Sequence, residues 1–214
     1  QLGRDVLSRL LYGGQRTLLM TGVAVAVAVT GGASAGIMAG FLDGYIDDVI
    51  TTLTSAMLAI PGLMIALVIL TMTGQGILQV ALATGMVQVA PMTLVIRSQA
   101  KLLRQADYIT GALAIGASNW RVLICYILPG CLPLILSYGS VIFGYCLLNI
   151  GSLGFLGLMG EPGIPEWGVM LAEGREVLRE APWVGAAPGI AISLIVLGVN
   201  WLADRIIQRE SQYG

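Results

Sequence analysis

Charged residues are unevenly spaced along this chain, and the gaps between them predict its elements. A charged side chain at mid-bilayer costs at least about 2.5–3.5 kcal/mol, so an uncharged apolar run of about 20 residues reads as a transmembrane helix. One such run lies between Arg16 and Asp43 and predicts a first span at 17–39. No charge occurs from 49 to 96, about two span lengths, and Gly74-Gln75-Gly76 breaks this run in the middle, which predicts a helical hairpin. Pro61 is expected to kink the first arm, because proline has no N–H to donate and crowds the preceding turn. The uncharged run between Arg121 and Glu161 is too short for two spans and a turn. It predicts one span at 132–150 and a Gly-rich stretch at 151–160, and a last run at 181–203 supplies a fifth span. The pattern describes an all-α, polytopic transmembrane helical bundle, a single domain over 1–214 with about five spans.

The two longer polar segments, 97–121 and 161–180, are separated by one span and so should face opposite sides. The first carries Arg97, Lys101, Arg104 and Arg121 against one acid, Asp107, and the positive-inside rule places it in the cytoplasm. The C-terminal Arg205 and Arg209 fall on the same side. Six basic residues then lie inside and five, Arg4, Arg9, Arg16, Arg175 and Arg179, outside. A cytoplasmic loop at about 105–121 and an extracytoplasmic loop at about 155–182 follow.

Composition narrows the function. Hydrophobic residues make up 57% and charged residues 11% of the chain, against roughly 25% charged in soluble domains, which excludes an ordinary globular protein. A net charge of −1 without a basic block offers no handle for nucleic acid. The absence of histidine removes His-based catalysis and His-containing metal sites. Cys125, Cys131 and Cys146 lack C-x-x-C spacing and read as apolar packing residues rather than metal or redox ligands. No secretory signal pattern follows Gln1. No cofactor or metal is expected, and no nucleophile–base constellation supports a membrane enzyme.

No ionisable residue lies inside a predicted span, although proton-coupled pumps and voltage sensors usually place such groups at membrane depth. The chain has one lysine, Lys101, and no G-x-x-x-x-G-K-[ST], so it cannot cradle ATP phosphates itself. If ATP drives it, a partner must bind the nucleotide. Gly32, Gly36 and Gly40 recur every fourth residue and read as a seam for close helix packing, within the chain or against another subunit. Met57, Met64 and Met72 recur at near-heptad spacing and read as core packing rather than a thioether track for metal. Trp167 and Trp183 read as anchors at a membrane boundary.

The cytoplasmic segment QADYITGALAIGASN, 105–119, suits a handle for a partner. Ile109, Leu113 and Trp120 are expected to anchor it, and Gly111, Ala112, Ala114 and Gly116 permit close approach. An interfacial helix resting on lipid headgroups is the alternative.

Here the chain resembles the permease subunits of dipeptide, oligopeptide and nickel ABC importers, specifically the DppC/OppC-like branch. The segment LGRDVLSRLLYG at 2–13 looks like the stretch before that family's second transmembrane helix. Residues 108–129 look like its cytoplasmic EAA loop, with Gly116-Ala117-Ser118 at the family's G-A-S and Ile127-Leu128-Pro129 closing it. GFLGL at 154–158, PEWGVML at 165–171 and the stretch 200–204 follow in the family's order.

The resemblance implies a type I ABC importer permease with a further helix before LGRD. Its EAA loop would be a coupling helix that docks on an ATPase, through Tyr108, Thr110, Gly111, Ala112, Gly116, Ala117 and Ser118. It implies a bacterial or archaeal cytoplasmic membrane, a second homologous permease, two cytoplasmic ATPases and an extracytoplasmic binding protein, contacted through Glu166, Trp167, Glu173 and Arg175. The cargo would be di- or oligopeptide, or nickel or a metal chelate in the same machinery, and an ATP-independent transporter or channel is the rival from another class. The chain departs from the EAA pattern: Thr110 stands for Glu, Gly111 for Ala, and Leu113 for a common Arg, which weakens electrostatic contact with an ATPase.

Overall fold

A computed structural model describes residues 5–159 and 163–210, and among them it is helices joined by short turns and loops, without strands. The elements are α1 (Val6–Leu42), α2 (Tyr45–Leu58), α3 (Gly62–Thr73), α4 (Ile77–Arg104), α5 (Asp107–Ala114), α6 (Asn119–Val122), a π-helical turn (Leu123–Ile127), α7 (Leu128–Phe155), α8 (Trp167–Glu176) and α9 (Pro182–Glu210). Four helical stretches are long and apolar enough to cross a membrane, and α2 with α3 makes a fifth if the bent pair counts as one span.

Four predicted spans are present as single long helices and the first arm of the hairpin as the bent pair α2–α3, and most helices outrun the prediction. α1 begins well before residue 17, where Asp5 caps it by accepting from the N–H groups of Leu7 (3.0 Å) and Ser8 (3.3 Å). α4 carries its helix through Arg97, Lys101 and Arg104, because charge limits burial in lipid without limiting helix formation. The stretch 119–155 is one long span whose π-turn directly precedes Pro129. Gly151 and Gly154 belong to α7 and are buried, so the helix continues into the predicted Gly-rich loop.

Pro61 does more than kink its helix. α2 ends at Leu58, α3 starts after Pro61, and the two axes differ by 93°. Gly74, at φ 88°, stops α3 at the predicted break.

α1 and α4 form the centre of the bundle and run parallel, since Ala24 meets Gly85, Gly32 meets Met92, and Gly40 meets Ala100. The glycine seam is therefore internal. A Cβ on Gly32 would stand 2.5 Å from that of Met92, and one on Gly36 would stand 2.7 Å from the Thr93 carbonyl oxygen, so only glycine allows this spacing. α7 packs on both helices, and α8 sits against α7 and α9. Met20, Met92, Ile96, Ile109, Ile142 and Ile150 fill the core, with Cys131 and Cys146 buried among them and Cys125 exposed. The methionine track is not core: Met64 and Met72 lie exposed on α3, and Met57 is half-buried on α2.

Candidate coupling surface and the opposite end of the bundle

The short helix α5 is built to be presented. Its only buried residues are Ile109 and Ala112, and Tyr108 stacks at a tilt on Tyr126 of the π-turn, 6.3 Å between ring centroids. Tyr108, Thr110, Gly111, Leu113 and Ile115 are exposed, Ile115 at 89%. The expected anchors thus divide: Ile109 is fully buried, while Leu113 and Trp120 face outward.

The G-A-S triplet has a local physical meaning. Gly116, at φ 93°, donates its N–H to the Leu113 carbonyl, and Ala117 donates to the Ala112 carbonyl. This pair of bonds is the Schellman closure of a helix, which favours glycine at the left-handed position. Ser118 then caps α6, its Oγ accepting from the Arg121 N–H at 3.3 Å. Gly116 stops one helix, Ser118 starts the next, and Ala117 is the half-buried link between them.

Beside α5 lies a cluster of charges whose bases the sequence offered as span boundaries and as a cytoplasmic signal, without their acidic partners. Asp47, 5% exposed, accepts from the Arg97 guanidinium through Nε and through Nη2 (2.7 Å), and from Lys101 Nζ at 2.6 Å. Asp43 accepts from Arg104 and lies 3.6 Å from Lys101. The signal that would have found the cluster is the spacing of Arg97, Lys101 and Arg104 along one face of a helix.

The opposite end is organised around α8. Glu166, placed by sequence at a partner contact, is 4% exposed and serves the chain's own interior. Its carboxylate caps α8 by accepting from the Val169 N–H (3.0 Å) and accepts from Thr17 Oγ1 of α1 (2.9 Å). Thr17 Oγ1 in turn accepts from the Trp167 N–H at 3.2 Å. Burial pushes the Glu166 carboxyl above its ordinary value, opposed by donors from Gly168, Val169 and Thr17. Trp167 is likewise no surface anchor: its ring covers Gly14, and its Nε1–H donates to the Leu10 carbonyl at 2.9 Å. Trp183 is exposed.

Of the other two residues, Glu173 pairs with Arg9 at 2.7 Å, and exposed Arg175 lies over the Phe155 ring at 5.7 Å. An open cleft of about 550 Å³ between the start of α1 and the α8–α9 turn is lined by Arg9, Glu173, Glu176, Glu180 and Trp183. Among the described residues no group of three His, Cys, Asp or Glu side chains is placed to hold a metal.

A bundle of long apolar helices with a short, outward-facing helix slung between two of them is an architecture suited to a transport subunit. The chain belongs to the family of binding-protein-dependent transport system inner membrane components, which matches residues 32–212. It is similar to the di/tripeptide transport system permease protein DppC of Pseudomonas aeruginosa, with 33% identity over 95% of this chain and 67% of the relative. It is also similar to the glutathione transport system permease protein GsiD of Shigella flexneri, with 38% identity over the same shares. Among solved structures, a chain of the MetNI methionine ABC transporter shares the fold with a TM-score of 0.78 at 15% identity, covering 97% of this chain and 99% of that one. An amino acid ABC transporter chain matches with a TM-score of 0.63 and full coverage of both. The chain is a multi-pass membrane permease subunit of an ATP-driven importer, a family that works with separate ATPase and binding-protein subunits.

Proposed function

We propose that this permease forms half of a translocation path for di- or oligopeptides in a bacterial or archaeal cytoplasmic membrane. Its other half is a second, homologous permease; two cytoplasmic ATPases and an extracytoplasmic binding protein complete the assembly. The α5 end faces the cytoplasm and the α8 end faces outward. Relatives named for di/tripeptide, dipeptide and glutathione transport support a small-peptide cargo.

The observation that carries the coupling reading is the exposed face of α5. Tyr108, Thr110, Gly111, Leu113 and Ile115 stand out from a helix held by only two buried residues. A surface of this composition suits docking into an apolar groove on a partner more than an ionic contact, consistent with Thr110 in place of the family's Glu. Gly116, Ala117 and Ser118 set the geometry of this docking element through the helix stop and start.

The test is co-purification with the ATPase and second-permease subunits in mild detergent. Ile115→Glu is the variant of choice, because any side chain at Gly116 would be strained by its φ of 93°. Wild type is expected to retain the ATPase, and Ile115→Glu to lose most of it while remaining inserted and folded. Wild type that moves a radiolabelled dipeptide in liposomes without any ATPase would overturn the reading.

A further inference from the structure

We infer that the charge cluster of Asp43, Asp47, Arg97, Lys101 and Arg104 is a rigid connector that makes the α1–α2 corner move with the root of the coupling helix. The inference rests on α5 being the coupling helix, and it assigns positioning residues that do not touch the ATPase.

The three bases lie along the final turns of α4, and only Gln105 and Ala106 separate Arg104 from α5. Their acids lie on a different element, the corner where α1 turns into α2. That corner is formed by two consecutive residues at positive φ, Asp43 at φ 50° and Gly44 at φ 65°. Asp43 is the one non-glycine residue at positive φ among the described residues, a conformation that persists where the surroundings hold it. Here the holding contacts come from α4. Arg104 donates to Asp43 and also lies over the Phe41 ring of α1 at 5.9 Å.

Asp47 makes the firmer tie. It is buried in the first turn of α2 and receives a two-pronged bond from Arg97, one from Lys101 and one from Thr51 Oγ1 at 3.2 Å. A guanidinium fork fixes orientation as well as distance, and a buried carboxylate cannot be pulled from its partners without being left uncompensated. The last turns of α4 and the first turn of α2 are therefore one body. Beyond α2 the chain breaks by 93° before α3, so a tilt of the α5 root is delivered to a hinged segment. Rigid elements meeting at such a break are the parts of a shear or hinge transition.

The experiment uses the full importer in liposomes, with nitroxide labels at Leu53 on α2 and Leu102 on α4, both exposed. In otherwise unaltered protein the 53–102 distance distribution should stay unchanged when ATP and vanadate trap the ATPases closed. Asp47→Asn should at least double the width of that distribution on trapping, while ATPase retention and basal hydrolysis stay within twofold. Asp47→Glu, which keeps the carboxylate, should restore the narrow distribution. The connector is overturned if the unaltered protein's distance changes on trapping, or if Asp47→Asn behaves like it. It is also overturned if Asp47→Asn loses the ATPase or fails to insert, since the cluster would then serve folding. Failure of the unaltered chain to retain any ATPase would instead remove the coupling reading of α5, and the connector with it.

Discussion

The two ends of the bundle use short sequence landmarks in opposite ways. At the α5 end, Gly116, Ala117 and Ser118 shape the backbone and leave the side chains around them exposed. At the α8 end, Glu166 and Trp167 are consumed in joining α8 to α1. A landmark that points outward leaves side chains open to a partner, as proposed for α5. One that points inward marks a joint within the chain, and the pair of tryptophans at the two ends separates these roles most sharply.

Trp167→Ala should remove a buried ring and the bond to Leu10, costing about 3–5 kcal/mol by analogy with other large core truncations. The apparent unfolding temperature in detergent should fall markedly. Trp120, 73% exposed, should show the reverse. Trp120→Ala is expected to change stability by less than about 0.5 kcal/mol, while reducing ATPase retention on co-purification. Equal stability losses at the two positions would erase the distinction between the ends.

Glu166 sharpens the comparison at the level of one hydrogen-bonded group. Glu166→Ala leaves the Val169 N–H without its side-chain acceptor, while the Thr17 hydroxyl keeps the Gly13 carbonyl at 2.9 Å, and should cost about 1–3 kcal/mol. Glu166→Gln keeps an acceptor of the same shape and should cost less than about 1 kcal/mol. Thermal unfolding of both variants distinguishes a carboxyl used as a joint from one held for contact with a partner, where both changes would leave stability unaltered.

The same group predicts a pH dependence confined to the α8 end. Because burial raises the Glu166 carboxyl above its ordinary 4.5, the folded chain keeps this proton to higher pH than the unfolded chain. Its contribution to stability is then fully present below the unfolded value and is lost as pH rises through the folded one. The apparent unfolding temperature of wild type should decline across that window, and Glu166→Gln should flatten the decline. A wild-type profile that rises with pH, and is flattened by Glu166→Gln, would mean that the carboxylate is stabilised as the anion.

The sequence made the spans legible because the cost of charge in lipid is local: the gaps between charged residues could be counted without any tertiary contact. Pro61 and Gly74 were readable for the same reason, since each acts through its own backbone, whereas Gly116 read only as a small residue permitting close approach and its helix-stopping φ of 93° did not show. What sequence reading misplaced depends on distant partners. Glu166 meets Thr17, 149 positions away, and Asp47 meets Arg97, 50 positions away. Met64 and Met72 repeat at a core-like spacing, but the packing of α3 buries Ala66 and Leu70 and leaves the methionines exposed. Their spacing carries no information about it.

A more local effect tests the backbone logic of α5 itself, where two glycines five residues apart have different reasons to be there. Gly111 lies within the helix, and a Cβ added to it would meet nothing within 4 Å. Gly111→Ala should therefore gain up to about 0.5–1 kcal/mol of helix propensity. Gly116 also has open space around it, but its φ of 93° is a conformation that an L side chain rarely adopts. Gly116→Ala should cost about 1 kcal/mol, set by the left-handed penalty rather than by any contact. Hydrogen exchange of the α5 amides should register the two changes with opposite sign. If both alanines slowed exchange, the glycine of the G-A-S triplet would not be needed to stop the helix, and the exposed face of α5 would depend on some other constraint.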